Sequence, residues 1–385
     1  MKAPPLLRIA HVDTGMSLRG GQRQLLLLAR GLRARGHDQL LVCPEGSGLE
    51  DRAQQEGFRV FSLPPHDPAH ALGILLLRQQ LVMSAVEILH AHDGRGHTVA
   101  WLASLGLPVR RIATRRVTFF PADRWTYRLK YARTCHAVVA VSDYIRELAA
   151  GAGVPRERIE VIPDGIELPP TPPGTTERSR LRNAWRLDED AFVVGQLGAF
   201  TPEKGQDVAL DALALVAAKL PHARLVLAGD GPLPAEGALA QRIDRLGARV
   251  RLLGAIEDPA DFFPGLDLLL MPSKAEGLGS SALLAMAYGL PVVANRVGGL
   301  PEVVVENETG WLVPPGSPQA LADAIILAAS DRAKLVQFGR QGRRRAEGFS
   351  ADIMVGRTEA LYHRLASGGG QRQTECFKFQ NEVIH

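Results

Sequence analysis

Cysteine and long apolar runs are scarce in this sequence, and each absence excludes a class of protein. The three cysteines among 385 residues, Cys43, Cys135 and Cys376, are widely spaced and form no Cys-x-x-Cys pair. We therefore predict a reducing, cytoplasmic setting without a disulfide framework or a zinc site. No apolar run approaches the roughly 20 residues that a membrane-spanning helix needs. The composition, 46% hydrophobic and 22% charged, is typical of a well-packed protein, and the length predicts two domains.

Positive charge is concentrated in the first half of the chain. Residues 1–168 hold 22 Lys/Arg and 16 Asp/Glu, whereas the whole chain has a net charge of only +4. The segment Arg110–Arg133 combines eight basic residues with one acid, Asp123. Aromatic residues are interleaved there: Phe119, Phe120, Trp125, Tyr127 and Tyr131. This mixture suits an anionic membrane surface, and equally a solvated helix face. It would also suit nucleic acid, which we do not expect as a partner.

Short apolar strands alternate with amphipathic helices along the chain, which is typical of parallel sheets with helices on both faces. The segment Pro163–Thr176 holds five prolines and two glycines and is the natural hinge. We therefore predict an α/β protein of two doubly wound, Rossmann-like domains that face each other across a cleft. The predicted domains are residues 1–165 and 179–366, with a linker at 166–178 and a disordered tail at 367–385. The predicted strands are Leu6–Val12, Gln39–Cys43, Arg59–Leu63, Ile88–His92, Arg111–Thr114, Ala137–Val141, Glu160–Ile162, Ala191–Gln196, Arg224–Ala228, Arg249–Leu253, Leu266–Met271, Pro291–Ala294 and Gly310–Leu312.

The segment Met271–Glu302 is the most informative part of the chain. It consists of a strand end, a glycine-rich turn that contains Glu276, an apolar helix, a second strand and the pair Gly298-Gly299. Two strand-to-helix turns would expose backbone N–H groups at helix N-termini, which suits a phosphate or a sugar hydroxyl. Taken alone, Glu276 could simply be an acid that favours the start of the next helix.

This segment resembles the signature of retaining glycosyltransferases of family 4, which have the GT-B architecture, and the likeness extends from Leu6 to Tyr362. The resemblance implies that a sugar moves from a nucleotide-sugar donor to a glycan or lipid-linked acceptor. It also implies retention at the anomeric carbon, no metal and no cofactor. The second domain would bind the donor and the first the acceptor, with the protein in the cytoplasm or peripheral on the inner face of the membrane.

The resemblance also assigns roles to individual residues. Glu276 would orient the donor sugar, and Lys204 would neutralise the departing diphosphate, whose charge grows in the transition state. His92 is the acceptor-side candidate. The donor would be bound, besides Lys204, by Gly20, Gly21, Gly277, Leu278, Gly279, Ser280, Arg115, Arg116 and Gly231.

The sequence departs from the family pattern at two positions. Ala199 stands where the family has an arginine, and Leu284 stands where a second glutamate normally holds the ribose. We hypothesise that Arg115 or Arg116 replaces the missing arginine, because the guanidinium fork matches phosphate. These departures keep open a non-catalytic homologue that binds a nucleotide or glycan, and an epimerase or phosphorylase would have a similar cleft.

The strand end His90-Ala91-His92 carries two histidines. We expect them to point to opposite faces of the strand, so that only His92 faces the cleft and no metal is bound. A buried structural histidine is the alternative role for His92.

Overall fold

The chain folds into two parallel sheets covered by helices, as seen in a computed structural model that describes residues 5–64, 70–118, 128–170, 174–229, 231 and 236–368. The first sheet has the order β3-β2-β1-β4-β5-β6-β7, and the second the order β10-β9-β8-β11-β12-β13. The strands are β1 Arg8–Val12, β2 Asp38–Pro44, β3 Arg59–Leu63, β4 Ile88–Ala91, β5 Arg110–Arg115, β6 Ala137–Ala140, β7 Ile159–Val161, β8 Phe192–Leu197, β9 Ala223–Ala228, β10 Val250–Gly254, β11 Leu268–Met271, β12 Val292–Asn295 and β13 Gly310–Val313.

All paired strands run parallel, and the central ones are apolar on both faces. The sequences of β6 (AVVA), β11 (LLLM) and β12 (VVAN) are buried at every position. Helices cover both faces of such a sheet, so neither face of these strands meets water. Each of the thirteen predicted strands is present with bounds that differ by a few residues at most. The predicted class, two doubly wound α/β domains, is confirmed.

Helices connect the strands, and short polar residues begin several of them. Asp93, Ser142 and Ser350 accept hydrogen bonds from backbone N–H groups in the first turns of their helices, which satisfies otherwise unpaired donors. The α-helices are Gly20–Ala34, Gly48–Gln55, Ala71–Met83, Gly94–Ala103, Asp143–Gly151, Thr175–Ala184, Gln206–Ala217, Gly237–Leu246, Ser280–Ala287, Leu300–Val303, Pro318–Ser330, Arg332–Glu347 and Ala351–Ala366.

The last of these helices, Ala351–Ala366, returns to the first sheet. Its residues Met354, Val355 and Tyr362 are buried in one cluster with Ile9 and Ile112 from β1 and β5. The chain passes from the first domain to the second near Ile166 and returns near Ser350. These two residues form a parallel bridge. Residues 351–366 fall within the predicted second domain, and the apolar face of this helix is buried against the first sheet. The helix Thr175–Ala184 likewise begins inside the predicted linker.

The two domains are in direct contact. The hydroxyl of Ser142 donates to the carbonyl of Gly277 at 2.6 Å. The carboxylate of Glu302 accepts from the backbone N–H groups of Asp143 (2.8 Å) and Tyr144 (2.7 Å) at the start of a first-domain helix. A carboxylate at a helix N-terminus is favourable, so Glu302 helps to hold the two domains together.

The basic and aromatic segment Arg110–Arg133 is not one continuous surface. Its first part is strand β5, and both Arg115 and Tyr131 are buried. The aromatic residues at 119, 120, 125 and 127 lie outside the described residues, as do positions 369–385 of the predicted tail. Length and hydropathy together rule out a bilayer crossing for every helix in the described part of the chain.

Candidate active site

The carboxyl ends of the strands in both sheets bring the predicted residues to one cleft. Lys204 follows β8 and Glu276 follows β11 in the second domain, while His92 follows β4 and Arg116 follows β5 in the first. Ligands of doubly wound sheets bind beyond the carboxyl ends of the strands. The cleft between the two domains is therefore the candidate active site.

Lys204 and Glu276 form the central contact on the second domain. The Lys204 Nζ atom lies 2.6 Å from Glu276 Oε1, and the Ser273 hydroxyl donates to the same oxygen at 2.9 Å. The glutamate side chain is 11% exposed and the lysine side chain 31%, so the pair sits at the edge of solvent. Two groups of opposite charge are thus held within reach of a single bound molecule, 72 residues apart in the chain.

The glycines around Glu276 are required by close backbone packing. A Cβ atom on Gly298, where φ is +57°, would lie 1.9 Å from the carbonyl oxygen of Glu276. A Cβ atom on Gly277 would lie 2.0 Å from the carbonyl oxygen of Arg116 in the other domain. Real atoms do not approach so closely, so only glycine fits at both positions. These glycines let the Glu276 turn touch both its own neighbour and the first domain.

The other predicted donor-binding residues of the second domain differ in what they can offer. Gly279 caps the helix Ser280–Ala287 with φ of +104°. The side chain of Leu278 is buried in the core, which leaves only its backbone for a ligand, and Ser280 is half-buried. Gly231 has φ of +109°, but its neighbour Asp230 and residues 232–235 lie outside the described part of the chain.

Across the cleft, Gly20 and Gly21 are the first residues of the helix Gly20–Ala34. A Cβ atom at either position would meet nothing within 4 Å, so the space in front of this helix start is open. Helix N-termini carry unpaired N–H groups and a partial positive charge. The geometry is compatible with the predicted contact to a phosphate.

Arg115 and Arg116 point into the first domain. The Arg116 Nε atom donates to Asp164 Oδ1 at 2.8 Å in a largely buried ion pair. Arg115 Nη1 lies 3.4 Å from the Tyr131 hydroxyl, and the guanidinium lies over the ring of that tyrosine. To replace the arginine missing at Ala199, one of these guanidinium groups would have to reach a ligand in addition to, or instead of, its protein partners. That hypothesis stays a prediction.

His90 and His92 do share a face, which corrects the prediction that they point apart. Residues two apart in a strand lie on the same side of the sheet, and the ring centroids are 4.2 Å apart. With His11 they form a buried cluster in which one nitrogen from each ring lies within 4.8 Å of the others. His90 bonds to the hydroxyls of Tyr362 and Thr114, both at 2.6 Å. The rings are therefore already joined to protein partners.

A chain of hydrogen bonds determines which nitrogen of His92 carries a proton. The Gln39 amide NH₂ donates to the Ala29 carbonyl, so Gln39 Oε1 is the acceptor for His11 Nε2–H at 3.1 Å. Burial lowers the pKa of His11 to about 4 and that of His92 well below its usual value, so both rings are neutral. His11 Nδ1 then accepts from His92 Nε2–H at 3.0 Å.

This arrangement leaves His92 Nδ1 as a lone-pair acceptor. The atom is buried and has no hydrogen-bond partner among the described residues. A buried acceptor without a donor is costly and is normally satisfied by water or a ligand. The lone pair of His92 Nδ1 is therefore left for a donor that the described residues do not supply.

Asp13 was missed by the sequence analysis, although it directly follows β1 and so belongs at the cleft edge. Its Oδ1 accepts from Gly15 N–H at 2.8 Å and from the Gln22 amide at 2.7 Å, while its buried Oδ2 has no partner among the described residues. Burial and the nearby Asp93 raise the pKa of Asp13 to about 6. Asp13 and the three histidines on the first-domain side of the cleft are thus neutral or easily made neutral.

Leu284 packs against the apolar core of the second domain, where the family places a ribose-binding glutamate. Ala199 contributes its carbonyl, which accepts from the Gln206 side chain at 2.8 Å. Neither position therefore offers a charged side chain to a ligand.

Comparisons with known proteins place the chain in a family. Glycosyl transferases group 1 match residues 177–345, and Glycosyltransferase Family 4 matches residues 18–168. The D-inositol 3-phosphate glycosyltransferase of Mycobacterium tuberculosis (strain ATCC 25177 / H37Ra) is 31% identical over 355 residues, which cover 86% of this chain and 72% of that protein. The chain therefore belongs to the glycosyltransferases of group 1 and family 4. The predicted enzyme class, a glycosyltransferase, is confirmed.

A second relative is similar over nearly its whole length. The GDP-mannose-dependent alpha-(1-6)-phosphatidylinositol monomannoside mannosyltransferase of Mycolicibacterium smegmatis is 28% identical over 380 residues, which cover 89% of this chain and 96% of that protein.

Solved structures agree with the fold. The chain superimposes on Anabaena Alr3699/HepE in complex with UDP with a TM-score of 0.82 and 24% identity, over 94% of this chain and 100% of that one. Sucrose-phosphate synthase from Thermosynechococcus elongatus gives a TM-score of 0.76 and 24% identity over the same shares. The GT-B architecture predicted from the sequence is confirmed.

Proposed function

We propose that this glycosyltransferase takes its sugar from a nucleotide-sugar donor bound by the second domain and transfers it, without a metal ion, with retention at the anomeric carbon. The observation that carries the proposal is the pair Lys204–Glu276, held at 2.6 Å beside two glycine turns. Relatives give independent support: one is GDP-mannose-dependent, and one solved structure contains UDP.

In the proposed reaction, each member of the pair has a separate task. Glu276 accepts hydrogen bonds from hydroxyls of the donor sugar and fixes its orientation. Lys204 moves from Glu276 to the diphosphate and neutralises the charge that grows as the bond to the sugar breaks. The N–H groups at Gly20 and Gly21 face the same diphosphate from the other domain.

We propose that the acceptor hydroxyl is bound on the first-domain side of the cleft. His92 Nδ1 is available there as an acceptor, which suits a hydroxyl that must be oriented before it attacks the sugar. The names of two relatives include an inositol phosphate and a phosphatidylinositol glycoside. These names favour two acceptor classes: a polyol that carries a phosphate, and a lipid-linked glycan.

The test is an assay of nucleoside diphosphate release from UDP-, GDP- and ADP-sugars with inositol phosphates and lipid-linked glycans as acceptors. We expect one donor and one acceptor to react in the presence of a chelator, with an α-linked product from an α-linked donor. Binding of a donor without turnover of any acceptor would favour the non-catalytic alternative. Product inversion or full dependence on a metal would contradict the corresponding part of the proposal.

A further inference from the structure

A basic cavity of about 350 Å³ lies at the end of the first sheet opposite to the active site. Arg110 and Arg111 begin β5, His136 immediately precedes β6, and Arg158 immediately precedes β7. The wall is completed by Arg133 and by Arg364 on the helix Ala351–Ala366. Because the strands are parallel, their starts are separated from the cleft by the length of β5, about 17 Å at roughly 3.3 Å per residue.

The cavity has far more positive than negative charge. Five arginines line it, and one of them, Arg364, is paired with Glu160 at 2.8 Å. No carboxylate among the described residues forms an ion pair with Arg110, Arg111 or Arg133. Like charges gathered in this way repel one another, and a bound anion would remove that repulsion.

Several of these groups are held in place by the backbone. The Arg111 Nε atom donates to the Thr134 carbonyl at 2.6 Å, and Arg158 donates to the Ala132 carbonyl. The Arg111 N–H donates to His136 Nδ1 at 3.0 Å, so the other ring nitrogen of the neutral imidazole is a donor. Burial, together with Arg111 and Arg110, lowers the pKa of His136 and keeps it neutral. The wall thus presents fixed donors rather than a mobile surface.

We propose that this cavity binds a small phosphate ester or diphosphate, at a site separate from the donor nucleotide. Guanidinium groups match phosphate oxygens in pairs. The volume is at the lower end of the range for small-molecule pockets, about 300–1,000 Å³. The apolar part of the wall is small, with Leu365 as its one large aliphatic side chain. A concave, polar, strongly basic wall suits a soluble phosphate compound better than the acyl chain of a lipid.

The test is calorimetric titration of the full-length protein with pyrophosphate and with glycerol 3-phosphate at constant ionic strength. The double variant Arg110→Gln/Arg133→Gln removes two guanidinium groups that form no hydrogen bond or ion pair with the described residues, so its thermal unfolding should match that of the native protein. We expect it to bind at least tenfold more weakly. A matched control, Arg332→Gln/Arg340→Gln, removes the same charge from the exposed surface of the second domain and should bind as the native protein does.

Two further arms separate this site from the cleft and from a membrane. The variant Lys204→Gln should keep its affinity for glycerol 3-phosphate; loss of binding in this variant, with no loss in Arg110→Gln/Arg133→Gln, would place the anion in the cleft and overturn the proposal. Co-sedimentation with phosphatidylglycerol vesicles tests the other source of phosphate. Binding to vesicles alone, abolished in the Arg110→Gln/Arg133→Gln variant, would assign the arginines to a lipid surface and also overturn it.

Discussion

The two sides of the cleft are built in different ways. On the second domain, Glu276, the glycines that flank it and Glu302 lie within residues 271–302, and Lys204 joins them from the loop after β8. On the first domain, the polar cluster is assembled from the ends of separate strands and from the helix Ala351–Ala366, whose Tyr362 bonds to His90. A contiguous motif builds one side, and tertiary packing builds the other.

This difference separates two kinds of chemistry. The second-domain side holds an ion pair near solvent, ready to exchange partners with a charged donor. The first-domain side holds His11, His90 and His92, which are buried and kept neutral by desolvation. We expect the second-domain side to neutralise the charge of the donor diphosphate and the first-domain side to orient the acceptor hydroxyl.

The largest effect is expected from the ion pair itself. Replacing Glu276 with Gln or Lys204 with Gln should lower kcat about 100-fold or more, because each removes a group that acts on developing charge or on sugar orientation. Steady-state kinetics of nucleoside diphosphate release measures this. The exposed Arg332→Gln variant is the control and should retain full activity. A loss of less than threefold in both site variants would mean that the pair is only structural.

A comparison of Gly298 with Gly21 tests whether a glycine of the cleft is required by backbone packing or is free to contact a ligand. Gly298→Ala places a Cβ atom 1.9 Å from the Glu276 carbonyl at a positive φ, so we expect about 3 kcal/mol of lost stability. Gly21→Ala meets nothing within 4 Å and lies in a helix, so stability should be unchanged or slightly higher. Chemical denaturation compares the two variants. An equal loss of stability in both would contradict the packing account.

Because several histidines are buried, we predict that the free energy of unfolding decreases as the pH is lowered. Burial lowers the pKa of His97 from 6.5 to about 3, so between these values the unfolded chain binds a proton that the native protein does not. The free energy of unfolding should therefore decrease from pH 7 to pH 5, by about 2 kcal/mol for one such group. In His97→Gln the decrease should be smaller by that amount, measured by urea denaturation at both pH values. The exposed His222→Gln variant should behave as the native protein does.

The smallest effect is expected from the hydrogen-bond chain behind His92. Gln39→Leu removes the acceptor that fixes the tautomer of His11. The tautomer of His92 is then no longer fixed, and Nδ1 can carry the proton instead of a lone pair. We expect the KM for the acceptor to rise about tenfold, equivalent to about 1.4 kcal/mol, while the KM for the donor is unchanged. The exposed Gln319→Leu variant is the control and should leave both KM values unchanged. Equal changes in both KM values would indicate general damage to the fold.

The same comparison explains how much could be predicted from the sequence. The strands and the Glu276 turn were predictable because apolar runs, glycines and acids that are close in sequence act locally. The helix Ala351–Ala366 packs against the first sheet, and nothing in its own pattern says which sheet its apolar face covers. The pairing of Lys204 with Glu276 and the His11–His92 bond depend on tertiary distances that no single segment encodes.

Two features of the first domain were nevertheless accessible from the sequence. Residues two apart in a strand share a face, which would have placed His90 beside His92. The residue that follows a parallel strand lies at the carboxyl edge of the sheet, which would have identified Asp13. The raised pKa of Asp13, by contrast, arises from burial and from Asp93, and it needs the folded structure.

The most direct test of the account is calorimetric binding of UDP, GDP, ADP and CMP to the native protein and to the variants Lys204→Gln and Arg110→Gln/Arg133→Gln. We predict that one nucleotide binds the native protein, at least tenfold more weakly to Lys204→Gln, and with unchanged affinity to the double variant. At about 100 times its Kd, that nucleotide should also add roughly 2.7 kcal/mol to the free energy of unfolding. Equal affinity for the native protein and for Lys204→Gln, or no binding by any of the four nucleotides, would contradict the assignment of the donor site to the Lys204–Glu276 pair.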